Sequence, residues 1–203
     1  MTSGVDPEGA VGVRRAEAGA LAAVAHLHAD AIGEGFLATL GPRFLERLYR
    51  RMIGSGRSFV LVAGSGPRVF GFVAVAEDTR SLYREFLLRD GVVAGLGALP
   101  ALVRRPRHVW ETLRYGTSGG AGTLPSAEVL ALAVAAGSRG QGVGARLLAE
   151  ALAELRRRGI TSARVVTVRE NAAARRTYEA AGFELRATVE LHRGVAQDVL
   201  VWG

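Results

Sequence analysis

Apolar residues recur every three or four positions in some segments of the chain and run together or alternate in others, which separates helices from strands. Val11 to Arg15 reads as a first strand, and Ala18 to about Gly33 as an Ala-rich helix. Pro42 to Met52 reads as a second helix, with Phe44, Leu45, Leu48 and Tyr49 on one face. Ser58 to Ala63 and Val69 to Ala76, joined through Gly64-Ser65-Gly66-Pro67, predict an antiparallel hairpin. Thr79 to Arg89, Val92 to Arg104 and Pro106 to Tyr115 each have helical character, followed by a Gly/Ser-rich loop from Gly116 to Gly122. From Glu128 the pattern sharpens. Val129 to Val134 is apolar on both faces, as a central strand is. Val143 to Arg158 carries Val143, Leu147, Leu148, Ala151, Leu152 and Leu155 as one stripe and stops at Gly159. Ser162 to Val168 predicts a strand, Ala172 to Ala181 a helix closed by Gly182, and Phe183 to Leu191 with Val195 to Trp202 a hairpin turning at Arg193-Gly194.

At 203 residues the chain is most simply one domain, with a loose tail over residues 1–10. The net charge of +7 is carried by arginine, with no lysine present, and the arginines are scattered. The densest group, Arg104-Arg105-Pro106-Arg107-His108, lacks the interleaved aromatics of a single-strand nucleic-acid platform, so no nucleic-acid partner is expected. No apolar run approaches the roughly 20 residues that span a bilayer, and no secretory leader is visible, so a cytoplasmic location with no membrane partner is expected. The absence of cysteine removes disulfides, thiolate metal sites and a thiol nucleophile from the chemistry. No metal site is expected from the four histidines. His26 and His28 fall on what reads as a surface helix, and His192 near a hairpin turn.

The most informative stretch is Arg139-Gly140-Gln141-Gly142-Val143-Gly144, set between an apolar strand and a helix. A glycine-rich turn entering a helix leaves several backbone N–H groups unpaired, with the positive end of the helix dipole behind them, and so suits a pyrophosphate. Gly140-x-Gly142-x-x-Ala145 also satisfies the loose dinucleotide fingerprint, but a doubly wound sheet starts with that motif and only about 60 residues follow it here. Downstream, Asn171-x-x-Ala174 precedes Tyr178-Glu179-x-x-Gly182-Phe183. On spacing alone Asn171 suits a helix N-cap and Tyr178 a core position.

Taken together, Arg139-x-x-Gly142-x-Gly144, Asn171-x-x-Ala174 and Tyr178-Glu179-x-x-Gly182-Phe183 resemble the GCN5-related N-acetyltransferase (GNAT) superfamily, densely from about Glu128 to Phe183. The resemblance implies an α/β fold with a mixed, mostly antiparallel central sheet flanked by helices. The domain would span 11–203, with a helical and loop insertion over 79–122 ahead of the central strand. It further implies acetyl-CoA as co-substrate, with its pantetheine arm on the backbone of Leu132, Ala133 and Val134. The pyrophosphate would lie on Arg139, Gly140, Gln141, Gly142, Val143, Gly144 and Ala145, with Asn171, Ala174 and Tyr178 completing the site.

For catalysis the resemblance assigns the leaving-group proton to Tyr178 and the oxyanion contact to a backbone N–H near Val134. Glu128 matches the position where some members keep a general base, others using water chains or other acids; on its residues alone it suits a solvated strand end. The expected reaction is transfer of acetyl to a primary amine of a small molecule or peptide through a ternary complex. The alternative is a non-catalytic acyl-CoA-binding or sensing module of the same fold. Tyr83, Trp110 and Tyr115 are candidates to line an acceptor pocket or to pack the insertion. Subunits often pair in this superfamily, though no interface is readable from the residues.

Overall fold

The structure, a computed structural model, describes residues 12–32, 40–65, 68–89, 124–191 and 195–203. The expected tail, the helical stretches 92–104 and 106–115 with Trp110 and Tyr115, the loop 116–122 and the turn at 193–194 lie outside the described residues. The elements are β1 (Gly12–Arg15), a 3₁₀ turn (Ala18–Ala20), α1 (Leu21–Ala31), α2 (Pro42–Gly54), β2 (Ser58–Ser65) and β3 (Arg68–Ala76). A helix over 79–89, here α3, covers the first part of the expected insertion. Then come β4 (Glu128–Val134), a 3₁₀ turn (Ala136–Ser138), α4 (Val143–Arg157), β5 (Ala163–Val168), α5 (Ala172–Ala180), β6 (Glu184–Leu191) and β7 (Val195–Trp202).

The strands form one seven-stranded sheet in the order β1-β2-β3-β4-β5-β7-β6. Every neighbouring pair is antiparallel except β4–β5, which is parallel. This is the mixed, mostly antiparallel sheet with flanking helices that the resemblance implies. Successive side chains of a strand point to opposite faces, so β2, β3 and β4 each feed two cores. Val73 and Val75 of β3 join Leu147, Leu148, Ala151 and Leu155 of α4 on one face. Phe72, Ala74 and Ala76 join Leu21 and Val24 of α1 and Leu45, Leu48 and Met52 of α2 on the other. Full burial of each such leucine contributes roughly 2 kcal/mol before entropy is counted. Among the described residues no helix is long and apolar enough to cross a membrane.

The first helix departs from its sequence reading in one respect. Its Ala-rich pattern suggested surface histidines, yet His28 lies one and two turns beyond Val24 and Leu21 on the buried face, only 3% exposed. It stacks on Phe72 and shares a 2.5 Å hydrogen bond between Nδ1 and the Tyr49 hydroxyl. Burial drives the imidazole pKa down to about 4 and pushes the Tyr49 phenol up, so both stay neutral near pH 7.

Candidate active site

The site begins with an interruption in β4. Ala74 pairs with Ala131 and Val75 with Val129, leaving Leu130 as the extra residue of a β-bulge. The bulge reverses the alternation: Val129, Leu132 and Val134 pack toward the α4 face, whereas Leu130, Ala131 and Ala133 pack toward the α1–α2 face. Parallel pairing with β5 covers only Glu128↔Arg164 and Val129↔Val165, and it stops where the bulge begins. A bulge bends its strand and increases its twist, so the two strands part here. Beyond that point β4 stays paired to β3 through Val134 and β5 to β7 through Val168. The β5-facing backbone of Leu132 and Val134 therefore borders a cleft between the strands, while the peptide groups of Ala133, two residues before Ala135, turn toward β3.

At the far end of β4 the glycine-rich turn lets the chain reverse into α4. Ala135 N–H donates to Phe70 O at 2.7 Å, fixing the start of the turn to β3. Gly140 and Gly142 take left-handed conformations, with φ of 74° and 75°, which L side chains rarely adopt. Arg139 donates from Nε to Val134 O at 3.1 Å, and Gln141 from Nε2 to Gly137 O at 3.0 Å, so both side chains stabilise the loop itself. The first bond of α4 runs from Arg146 N–H to Gly142 O. Val143, Gly144 and Ala145 therefore have no helical acceptor for their N–H groups. Gly142 supplies no capping side chain, and the first turn contains no acidic residue. This helix end combines free donors, the positive dipole end and no built-in anion.

The α5 end is built differently. Asn171 caps it, its Oδ1 accepting from Ala174 N–H at 3.1 Å. Its C-terminus closes as a Schellman motif: Phe183 N–H bonds Tyr178 O and Gly182 N–H bonds Glu179 O, with Gly182 at φ 87°. The motif brings its two flanking side chains together, and Tyr178 and Phe183 meet edge to face at 5.6 Å. The Tyr-Glu-x-x-Gly-Phe signature is thus a helix stop that fixes one phenol. Tyr178 belongs to the core shared with α4, and burial pushes its phenol above the usual range, keeping it protonated.

Glu128 sits at the root of the cleft. Its Oε2 accepts from Thr79 Oγ1 at 3.0 Å and from Arg164 Nε and Nη2 at 2.9 and 2.8 Å. Its Oε1 has no partner among the described residues. Tyr83 of α3 is close enough to feel the same carboxylate; burial first, and then the Glu128 charge, push its phenol up. The structure thus brings together β4, the glycine-rich turn and α4, with Glu128 at the cleft root and Tyr178 in the core beneath α4. A separate groove of about 420 Å3 between α1 and α2, bordered by His26, Arg43 and Glu46, lies on the opposite face of the sheet.

Three structural contributors to this region escape sequence reading. Thr79 and Arg164 hold Glu128 from residues 49 and 36 positions away. Gly71 of β3 lies under the start of α4, where a Cβ would come within 3.0 Å of Ala133 O and Leu147 Cδ1. Its one sequence signal was a glycine inside an otherwise apolar strand, which often marks close backbone approach.

Comparison with known proteins follows the same lines. Residues 29–183 match the family described as Acetyltransferase (GNAT) family. No curated protein sequence matches the chain. Among solved structures the chain is similar to a GCN5-related N-acetyltransferase from Kribbella flavida (20% identity, TM-score 0.63), covering 97% of this chain and 98% of that one. It is similar also to yncA from Salmonella typhimurium, solved with its cofactor acetyl-CoA (19% identity, TM-score 0.62, 95% and 92% covered). A third is a ribosomal-protein-alanine N-acetyltransferase from Brucella melitensis (21% identity, TM-score 0.59, 94% and 97% covered). At such identities these likenesses establish the fold, while the family match covers more than half the chain: the protein belongs to the GNAT acetyltransferase family.

Proposed function

We propose that the protein is an N-acetyltransferase that moves the acetyl group of acetyl-CoA directly to a primary amine of a small molecule or peptide within a ternary complex. The observation that carries this reading is the uncapped N-terminus of α4, entered through left-handed Gly140 and Gly142 beside the parting of β4 from β5. The N–H groups of residues 140–145 would receive the pyrophosphate, with Arg139 at the rim and the backbone of Leu132 and Val134 along the pantetheine arm. Asn171 and Ala174 would border the other wall. The reading treats residues 11–203 as one domain acting in the cytoplasm.

In the reaction the acceptor nitrogen attacks the thioester carbon, the C–N bond forms, and the carbonyl oxygen takes negative charge. A backbone N–H near Val134 would donate to that oxygen. The C–S bond then breaks. Tyr178, protonated because it is buried, would give its proton to the departing sulfur. Glu128, with Oε2 committed to Arg164 and Thr79, would take the first proton of the substrate ammonium at Oε1 before the attack, directly or through water. The second proton, shed by the nitrogen as the amide forms, would return through solvent to Tyr178 and restore the phenol.

The test is thermal stability of the purified protein with acetyl-CoA, CoA and NAD, followed by amine-dependent release of free thiol. Stabilisation by the CoA compounds and not by NAD is expected, because a ligand that binds the native state raises its stability. Absence of any shift with CoA would overturn the reading. A shift with no thiol release across an amine panel would favour the binding module over the enzyme.

A further inference from the structure

Asp198 lies in the middle of β7 with its side chain sealed from solvent. A carboxylate in such a place is costly unless it is paired and hydrogen-bonded. Its partners come from three other parts of the chain. Thr188 Oγ1 of β6 donates to Oδ1 at 2.8 Å, and Arg169 donates from Nε to the same oxygen at 3.2 Å. Arg175 of α5 brings Nη1 to within 3.1 Å of Oδ2. Arg169 also donates from Nη2 to Thr188 Oγ1 at 2.5 Å, and its N–H bonds Ala196 O of β7. The Thr188 hydrogen bond, with Arg169 and Arg175, holds the carboxyl below its ordinary range against the opposing effect of burial.

The two arginines bracket the segment that the site depends on. Arg169 immediately follows β5 and stands two residues before the cap Asn171; Arg175 sits on the first turns of α5, three residues before Tyr178. Arg175 reaches Glu179 as well, at 3.0 Å, so it ties both sides of Tyr178 to the sheet. We propose that Asp198 is a positioning residue: by clamping Arg169 and Arg175 it sets where the 169–171 turn and α5 stand, and through them Asn171 and Tyr178, relative to the open end of α4. This rests on the acetyl-CoA reading of that site. Asp198 touches none of the reacting groups and acts through the backbone it anchors.

Glu154 supplies the control. It too is a buried carboxylate ringed by arginines, Arg15, Arg157 and Arg158, but at the C-terminal end of α4, away from the turn. CoA affinity by calorimetry, thermal stability, and hydrogen exchange of the α5 amides are measured for the wild type, Asp198→Asn and Glu154→Gln. Both variants are expected to lose stability. Asp198→Asn should also weaken CoA binding about tenfold, as small misplacements of a site do, and speed exchange in the first turns of α5; Glu154→Gln should change neither. If Asp198→Asn does not fold, Thr188→Val, which keeps the carboxylate and removes one of its donors, is expected to shift both readouts in the same direction by a smaller factor. Unchanged CoA affinity and unchanged exchange in a folded Asp198→Asn, or in Thr188→Val where that stands in, would overturn the positioning role and leave the acetyl-CoA reading intact. A wild-type protein that fails to bind CoA would overturn both.

Discussion

The two ends of α4 show opposite treatments of the same physical problem. At the N-terminal end Gly142 offers no cap, no acidic side chain meets the dipole, and three N–H groups have no helical acceptor. At the C-terminal end Gly159, with φ of 76°, and Ile160 close a Schellman motif onto Arg156 and Leu155. There Glu154 gathers Arg15, Arg157 and Arg158, and Arg158 goes on to Glu77, to Gly56 O and over the face of Phe59. One end is complete within the protein; the other leaves donors that a ligand's acceptors would complete. On the proposed reading stability belongs to the finished end and binding to the unfinished one, so substitutions at the two ends should separate the two properties.

The sharpest separation is expected from Gly142→Glu. A Cβ at this position meets nothing within 4 Å, so the fold tolerates the change apart from the strain of a left-handed glutamate, about 1 kcal/mol. A carboxylate there occupies the positive end of the helix and repels phosphate, so CoA affinity should fall by more than about 100-fold. Unchanged affinity in calorimetry would remove the pyrophosphate from this turn. Next in size is Tyr178→Phe. It keeps the ring against Phe183 and removes the proton, so kcat should fall about 100-fold while CoA affinity changes little. Equal losses in both would make Tyr178 a packing residue.

At the finished end Glu154→Gln should lower stability by about 1–2 kcal/mol with no change in CoA affinity. The loss is small because Arg15 and Arg157 are mostly exposed and their attraction is screened. Burial works to raise the Glu154 carboxyl, but the Arg158 hydrogen bond and the charges of Arg15, Arg158 and Arg157 outweigh it and hold it below its ordinary range. The carboxyl's folded pKa thus lies under its unfolded one, so its contribution is present above the usual carboxylate range and is lost as pH falls through the lowered value. Urea titrations of wild type and variant should therefore converge on acidification; a constant difference would assign the effect to shape and not to charge.

What could be read in the sequence was local. Gly140 and Gly142 mark positions where backbone geometry demands glycine, Asn171 caps the helix it precedes, and Gly182-Phe183 spell a helix stop within six residues of Tyr178. The sheet with its flanking helices was implied by the family resemblance that these motifs carry. Partnerships between distant residues were not legible: Arg15 with Glu154 spans 139 positions, and nothing near either predicts the other. Asp198, likewise, gives no sign in the sequence of Arg169, Arg175 or Thr188 as its partners. Alanines blur the faces of α1, so His28 does not stand out as buried, although its spacing from Leu21 and Val24 points inward. The parting of β4 from β5 depends on a one-residue bulge whose register exists only against β3.

The smallest expected effect tests whether the unfinished end must be held where it is. Gly71 lets β3 accept the first turns of α4 closely: an added methyl would meet Leu147 Cδ1 at 3.0 Å, Val143 Cγ1 at 3.2 Å and Ala133 O at 3.0 Å. Contacts this short require the neighbours to yield by a few tenths of an ångström. Ala133 O belongs to paired backbone, so the movable partners are the side chains of α4 and the helix end that carries them. Gly71→Ala should therefore lift the N-terminus of α4 slightly, reduce stability by about 1 kcal/mol as mild overpacking does, and weaken CoA binding by about threefold. Glu154→Gln, with equal or greater loss of stability, should leave binding untouched. If Gly71→Ala also leaves CoA affinity unchanged, the donors of residues 140–145 follow the ligand instead of being set by the sheet, and the contrast between the two ends becomes one of hydrogen bonding alone and not of position.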